Sequence, residues 1–174
     1  MANYGTVAEA DAYHTARGNT HWNGSDAHKL AALVRASAYI DGHYRTRPNN
    51  CGLMLSRFGG RKAGGRAQVL EWPRVDCVDT DGEPVESDAV PIEVEHATYE
   101  AALRELVTPG SLTPDFVAST LAKREKVDVI EVEYAVAEAK PGQLPPTSPT
   151  LPIVDGLLAP LLTGGCVGPW PLVV

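Results

Sequence analysis

The apolar and polar positions divide this chain into three helical stretches, one short strand and two segments without a period. Thr6 and Glu9 form a capping-box pair ahead of an alanine-rich stretch, which predicts a first helix running to Arg17 and stopped by Gly18. Ser25 and Asp26 can cap a longer second helix ending near Gly42. Its Ala27, Leu30, Ala31, Val34 and Ala38 recur at helical spacing, with Leu33 and Ile40 widening the apolar face. Pro91 suits the first turn of a third helix, where its missing N–H costs nothing, and Ile92, Tyr99, Leu103 and Leu106 share one face before Pro109-Gly110 ends it.

Between the second and third helices, residues 45–74 read as a long loop rich in Gly, Arg, Asn and Pro, with a brief run from Ala67 to Trp72 that has strand character. The residue before a proline is driven to extended geometry, so Trp72-Pro73 should pin this loop on the core. Val127–Tyr134 alternates as a strand, expected to pair with the stretch near Trp72 or with a neighbouring subunit. After Lys140, five prolines in twelve residues rule out helix and central strand, so the chain divides into a helical domain, 1–139, and an extended carboxyl-terminal arm, 140–174. The arm carries an apolar segment, Ile153–Leu162, and an almost uncharged end, GGCVGPWPLVV. The fold class is mainly α: a small helical bundle with a short β element and that Pro-rich arm.

Composition adjusts this picture in two ways. A formal charge of −7 disfavours a protein that holds duplex nucleic acid by neutralising many phosphates, although a local basic segment can still touch one. Cys51, Cys77 and Cys166 are widely spaced and odd in number, which indicates neither a disulfide framework nor a zinc site and suits a reducing cytoplasm. The sequence lacks signal-peptide blocks and membrane-length apolar runs, so a soluble protein without a membrane partner is expected.

Chemistry-bearing patterns are few. His14, His21 and His28 are spaced by seven, but Gly18 and Gly24 break the register that would align them on a metal, so solvent-exposed or boundary histidines are expected; His96 should sit at the core edge. Asp79-x-Asp81-Gly82 looks like part of a calcium loop, but Cys77 holds the first ligand position and Asp88 the twelfth, which favours a solvated acidic turn. Arg57, Arg61, Lys62 and Arg66 lie among four glycines, so the backbone of this loop can approach a phosphate or an acidic neighbour closely. Nucleophile-elbow, HExxH, paired-carboxylate and GxGxxG signatures are missing together, so the chain is expected to be no enzyme and to need no cofactor or metal.

Several stretches resemble a family of tailed-phage head-to-tail connector proteins, some of whose members are labelled DnaT-like single-stranded-DNA-binding. They are YGTVAEADAYHTARGN, AALVRASAYIDGHY, the stretch EWPRVDCVDTDGEPVESDAVPIEVEHATYEAALREL, KREKVDVIEVEYA and PIVDGLLAPLL. The resemblance implies a helical subunit that forms a dodecameric ring beneath the portal, extends the DNA channel and offers a platform to the next tail component. Its partners would be further copies of itself, the portal protein, a tail or head-closure protein, and genomic DNA in transit without sequence specificity; its place would be the virion neck, after assembly in the host cytoplasm.

The residues themselves point to partner contacts at Arg57, Arg61, Lys62 and Arg66 and along the arm at Leu157, Leu158, Leu161, Trp170, Leu172, Val173 and Val174, where apolar side chains lack enough surface to fold alone. The competing reading is a single-stranded-DNA-binding, DnaT-like replication protein using the basic loop. Such a binder needs a cationic groove with stacking rings, and Phe58 is the sole aromatic in that loop.

Overall fold

The computed structural model describes residues 2–48, 54–114, 124–127, 130–133 and 149–162. It is mainly helical, with α1 (Val7–Ala16), α2 (Asp26–Tyr44), α3 (Ile92–Val107) and α4 (Pro152–Leu158). Three antiparallel strand pairs supply the β structure: β1 (Thr46–Pro48) with β2 (Met54–Ser56), β3 (Arg61–Lys62) with β4 (Arg74–Val75), and β5 (Arg124–Val127) with β6 (Ile130–Glu133). α3 packs between α2 and α4, and α1 lies against both α2 and α3.

The expected helix starts form for the reasons their sequences give. Thr6 accepts the Glu9 N–H at 3.2 Å while the Glu9 carboxylate accepts the Thr6 N–H at 2.9 Å, which satisfies two of the orphan donors at the start of α1. Ser25 caps α2 through the His28 N–H. Ahead of α1, Gly5 adopts φ +64, and a β-carbon there would fall 2.1 Å from the Tyr99 hydroxyl; the close approach of the amino-terminal strap to α3 therefore needs glycine.

The buried face of α2 differs from the expected stripe. Ala27 and Ala38 are exposed and Leu30 is 45% exposed, whereas Leu33, Ala36, Ser37, Ile40, Asp41 and Tyr44 face the core. Two polar residues concealed that face, and each is satisfied inside: Ser37 donates to the Leu33 carbonyl and accepts the Tyr4 N–H, and Asp41 accepts the Tyr4 phenol. α3 keeps most of the expected face, since Tyr99 is buried and Leu103 and Leu106 pack partly against the core. Ile92 is exposed, while Val94, Ala97, Thr98, Tyr99, Ala101, Ala102 and Glu105 are buried. The alanines let α2 and α3 approach closely.

β6 pairs with β5, the segment just before it, and not with the stretch near Trp72. A local antiparallel partner only two residues back closes a far smaller loop than a strand fifty residues away. The run from Ala67 to Trp72 forms no strand; Gly65–Ala67 is a 3-10 turn, and the flanking residues of β3 and β4 pair instead. Trp72 is buried in the core as expected from its neighbour Pro73.

The expected arm is corrected over residues 149–162. Leu151, Val154, Leu158 and Leu161 enter the same core as α2 and α3, because α4 presents Val154 and Leu158, i to i+4, on one side. Tyr39 fastens the entry to α4 by donating to the Pro149 carbonyl at 2.6 Å, and Tyr44 donates to Asp155 on α4. Pro160 accepts the Thr80 N–H at 2.9 Å, and Leu162 bridges Phe58.

Candidate functional site

The loop that carries the basic residues is an ordered unit, because a buried carboxylate sits at its root. Glu71 binds Arg45 at 2.9 Å, Lys62 at 3.1 Å and Arg74 at 2.8 Å, so it gathers cations from the end of α2, from β3 and from β4. Arg74 is itself buried and donates further to the carbonyls of Gly59 at 2.6 Å and Gly60 at 2.9 Å. Gly60 has φ +60, and a β-carbon there would lie 2.1 Å from the Val75 carbonyl, so the turn closes only with glycine. The Glu71 and Trp72 N–H groups end on the Tyr4 hydroxyl at 3.0 and 3.2 Å, and Tyr4 donates to Asp41 at 2.6 Å. Burial raises the Tyr4 phenol and holds the Asp41 carboxyl above the usual carboxylate range. The cluster is a structural joint with both carboxylates occupied.

That joint decides what the four basic candidates can do. Lys62 is turned inward to Glu71 and to the Gln68 carbonyl, Arg57 lies 5.0 Å over the Tyr44 ring, and Arg61 pairs with Asp76 at 3.2 Å. Arg66 alone of the four is exposed with its side chain making no hydrogen bond or ion pair among the described residues. Three of the four are thus engaged by different partners within the chain.

Of the apolar candidates, Leu158 and Leu161 are buried in the chain's own core and Leu157 packs partly against it, which corrects their assignment as partner contacts. Trp170, Leu172, Val173 and Val174 lie outside the described residues.

The histidines part company. His21 and His28 are exposed, as expected, but His14 is buried, which corrects the expectation of an exposed or boundary site. Its Nε2 lies 3.2 Å from the Tyr99 carbonyl and its Nδ1 3.0 Å from the Asn19 amide nitrogen; those partners assign a neutral ring with the proton on Nε2. Burial pushes its pKa down, against the opposing charge of Glu100. His96 sits half-buried against the Tyr13 ring at the core edge. In the acidic turn, the Asp79 carboxylate accepts the N–H groups of Asp81 and Glu83, both at 2.9 Å, so it holds the turn together.

All eight aromatic side chains of the described residues, Tyr4, Tyr13, Trp22, Tyr39, Tyr44, Phe58, Trp72 and Tyr99, are buried. Phe58, the ring expected in the basic loop, stands edge-on to Trp72 in the core. Two grooves open on the surface. One, of about 610 Å³, runs between the end of α3 and the start of α4, with Leu103, Val107 and Ile153 on its walls and Arg104 at its edge. The other, of about 410 Å³, lies between residues 79–93 and Pro160-Leu161 and combines an apolar floor with Asp79, Glu86 and Glu93.

Sequence reading missed Tyr4, Asp41, Glu71, Arg74 and Glu105. Glu105 is buried, binds Arg35 at 2.7 Å and accepts the Gly110 N–H at 2.7 Å and the Leu112 N–H at 3.3 Å, which locks the turn after α3. No spacing rule announces such residues: Tyr4 joins Asp41, Glu71 and Trp72 from distant segments, and Glu71 and Glu105 each combine a nearby partner with a remote one.

The fold and its surface define a mainly helical module with a hydrogen-bonded, glycine-rich hairpin and, among the described residues, two open grooves. The chain belongs to the DnaT-like single-stranded-DNA-binding protein family: it matches the family described as "Putative DnaT-like ssDNA binding protein" over residues 2–170. No curated protein and no solved structure matches it.

Proposed function

We propose that this chain is a structural head-to-tail adaptor of a tailed bacteriophage, a ring-forming subunit of the virion neck that binds the portal on one side and a tail or head-closure protein on the other. One observation carries the reading: the aromatic rings of the described residues are packed inside, and three of the four basic-loop cations are held by the chain itself. A single-stranded-DNA binder needs the reverse, rings presented for base stacking along a cationic groove. A net charge of −7 suits a conduit wall, because like charge keeps a passing duplex from adhering. The ordered resemblance to connector proteins supplies the specific role, and the apolar composition of GGCVGPWPLVV suits a contact with a neighbour. No catalytic step, cofactor or metal enters this reading.

The family description favours a second reading, a single-stranded-DNA-binding protein, for which Arg66 and Arg104 are exposed cations among the described residues. Mass spectrometry of purified virions, paired with a fluorescence-anisotropy titration of oligo(dT) at low and moderate salt, separates the two. The adaptor reading requires the chain in the particle and no salt-sensitive oligonucleotide binding. A chain absent from virions that binds oligo(dT) and releases it as salt rises overturns it.

A further inference from the structure

Two exposed features lack partners among the described residues, and their chemistry is complementary. The first is the tip of the β3–β4 hairpin. Despite its glycines the tip is ordered from within: the Gln68 side chain accepts the Gly64 N–H at 2.7 Å and donates to the carbonyls of Leu70 at 2.9 Å and Pro73 at 3.0 Å, and Lys62 Nζ donates to the Gln68 carbonyl at 3.1 Å. What this frame presents is the unpaired Arg66 and, three residues on, Val69, which at 74% exposure is the most open large apolar side chain among the described residues. A loop fixed in place so as to hold a valine and a cation in water has already met the ordering cost of binding.

The second is the groove of about 410 Å³ between residues 79–93 and Pro160-Leu161. Val85, Val90 and Leu161 give it an apolar floor, while Glu86 and Glu93 stand on its edge, and among the described residues neither makes a hydrogen bond or ion pair and no cation lines the groove. Asp79 adds a third carboxylate, tied on one oxygen to the Asp81 and Glu83 N–H groups. An apolar pocket ringed by unanswered negative charge calls for a ligand that is apolar at its point and cationic beside it.

We infer that the groove receives the hairpin tip of a second copy of this chain, with Val69 on the floor and Arg66 between Glu86 and Glu93. The occupant is argued from charge complementarity: Arg66, without a hydrogen bond or ion pair among the described residues, stands beside the exposed Val69, and the groove supplies the matching acid and apolar surface. Tip and groove are different surfaces, so a copy can give its tip to one neighbour and its groove to another, and a heterologous contact of that kind propagates into a ring or a filament. This deepens the proposed function, since it rests on self-association and names the surfaces that make it.

A charge-swap series tests the contact by sedimentation velocity of the full-length chain. Arg66→Glu alone and Glu86→Arg alone should each raise the concentration at which copies associate by about tenfold or more. The two variants mixed should associate again, because the charge-reversed tip of the first fits the charge-reversed groove of the second, while the unaltered tip of the second fits the unaltered groove of the first. The double variant R66E/E86R should associate unaided. Circular dichroism guards against misfolding, and both side chains are exposed. If both single variants associate like the native chain, or if mixing restores nothing, this contact is wrong while a ring built from other surfaces stands. If the native chain neither associates in solution nor occurs in virions, the adaptor reading falls with it.

Discussion

The Tyr4 hydroxyl lies 2.6 Å from an Asp41 carboxylate oxygen, and this bond ties the amino-terminal strap to the middle of α2. The same hydroxyl accepts the Glu71 and Trp72 N–H groups, so one oxygen joins three segments far apart in the chain. Tyr4→Phe removes the donor that Asp41 uses and strands the buried Trp72 N–H, while the Glu71 N–H keeps its bond to Asp41 at 3.1 Å. The expected cost is about 1–3 kcal/mol in urea unfolding with the slope unchanged. A variant as stable as the native chain would show that the strap contributes nothing.

Glu71 should be the most sensitive carboxylate. Glu71→Ala leaves the buried Arg74 guanidinium without its counter-charge, and losing one member of a buried pair costs about 3–5 kcal/mol. Glu71→Gln retains an acceptor for Arg74 and should cost less. Chemical unfolding of both checks the order, and equal losses would mean that shape, not charge, holds the joint.

Acid should weaken the fold through His14. Its ordinary value is 6.5, and burial lowers it in the folded chain. The unfolded chain thus takes up the proton first as pH falls, so the stabilising effect of the neutral ring is complete above 6.5 and is lost as pH drops through the folded value. Protonation would also turn Nδ1 into a donor facing the Asn19 amide. His43 and His96 shift in the same direction, also by burial, whereas Asp41 has the opposite sign and acts nearer the carboxylate range. The melting temperature should fall steadily below pH 6.5, and an NMR titration should find the His14 ring protonating below that value. A flat melting profile from neutral pH down to mild acid would contradict this.

The carboxyl-terminal region should divide into two behaviours. Leu158→Ala opens a hole in the shared core and should cost about 2–5 kcal/mol. Deleting Pro169–Val174 should leave the melting temperature of the domain nearly unchanged while weakening incorporation into particles. Calorimetry and particle composition read the two effects separately, and full incorporation of the truncated chain would remove this segment from the assembly contacts.

Helix ends were legible where the signal is local. Thr6 with Glu9, Ser25 and Pro91 marked three helix starts because a cap needs only residues within one turn. The inward faces of α2 and α3 were only partly legible, since Ser37, Asp41, Thr98 and Glu105 are polar yet buried, and what permits this is a partner supplied from elsewhere or a carbonyl one turn back. Residues 149–162 were read as part of an arm because the prolines before them break every period; only tertiary contact with Tyr39 and Tyr44 shows that the chain returns to the core. Among the candidate contacts, the basic loop was found by composition, but composition could not distinguish Arg66, which faces water, from Lys62, which Glu71 holds.

Because Glu71 fastens the end of α2 and both strands of the hairpin at a single point, the hairpin cannot swing as a free flap. A load applied at its tip passes through the joint into α2 and, by way of Tyr4, into the strap before α1. A push on the hairpin therefore reaches the helices by way of that joint.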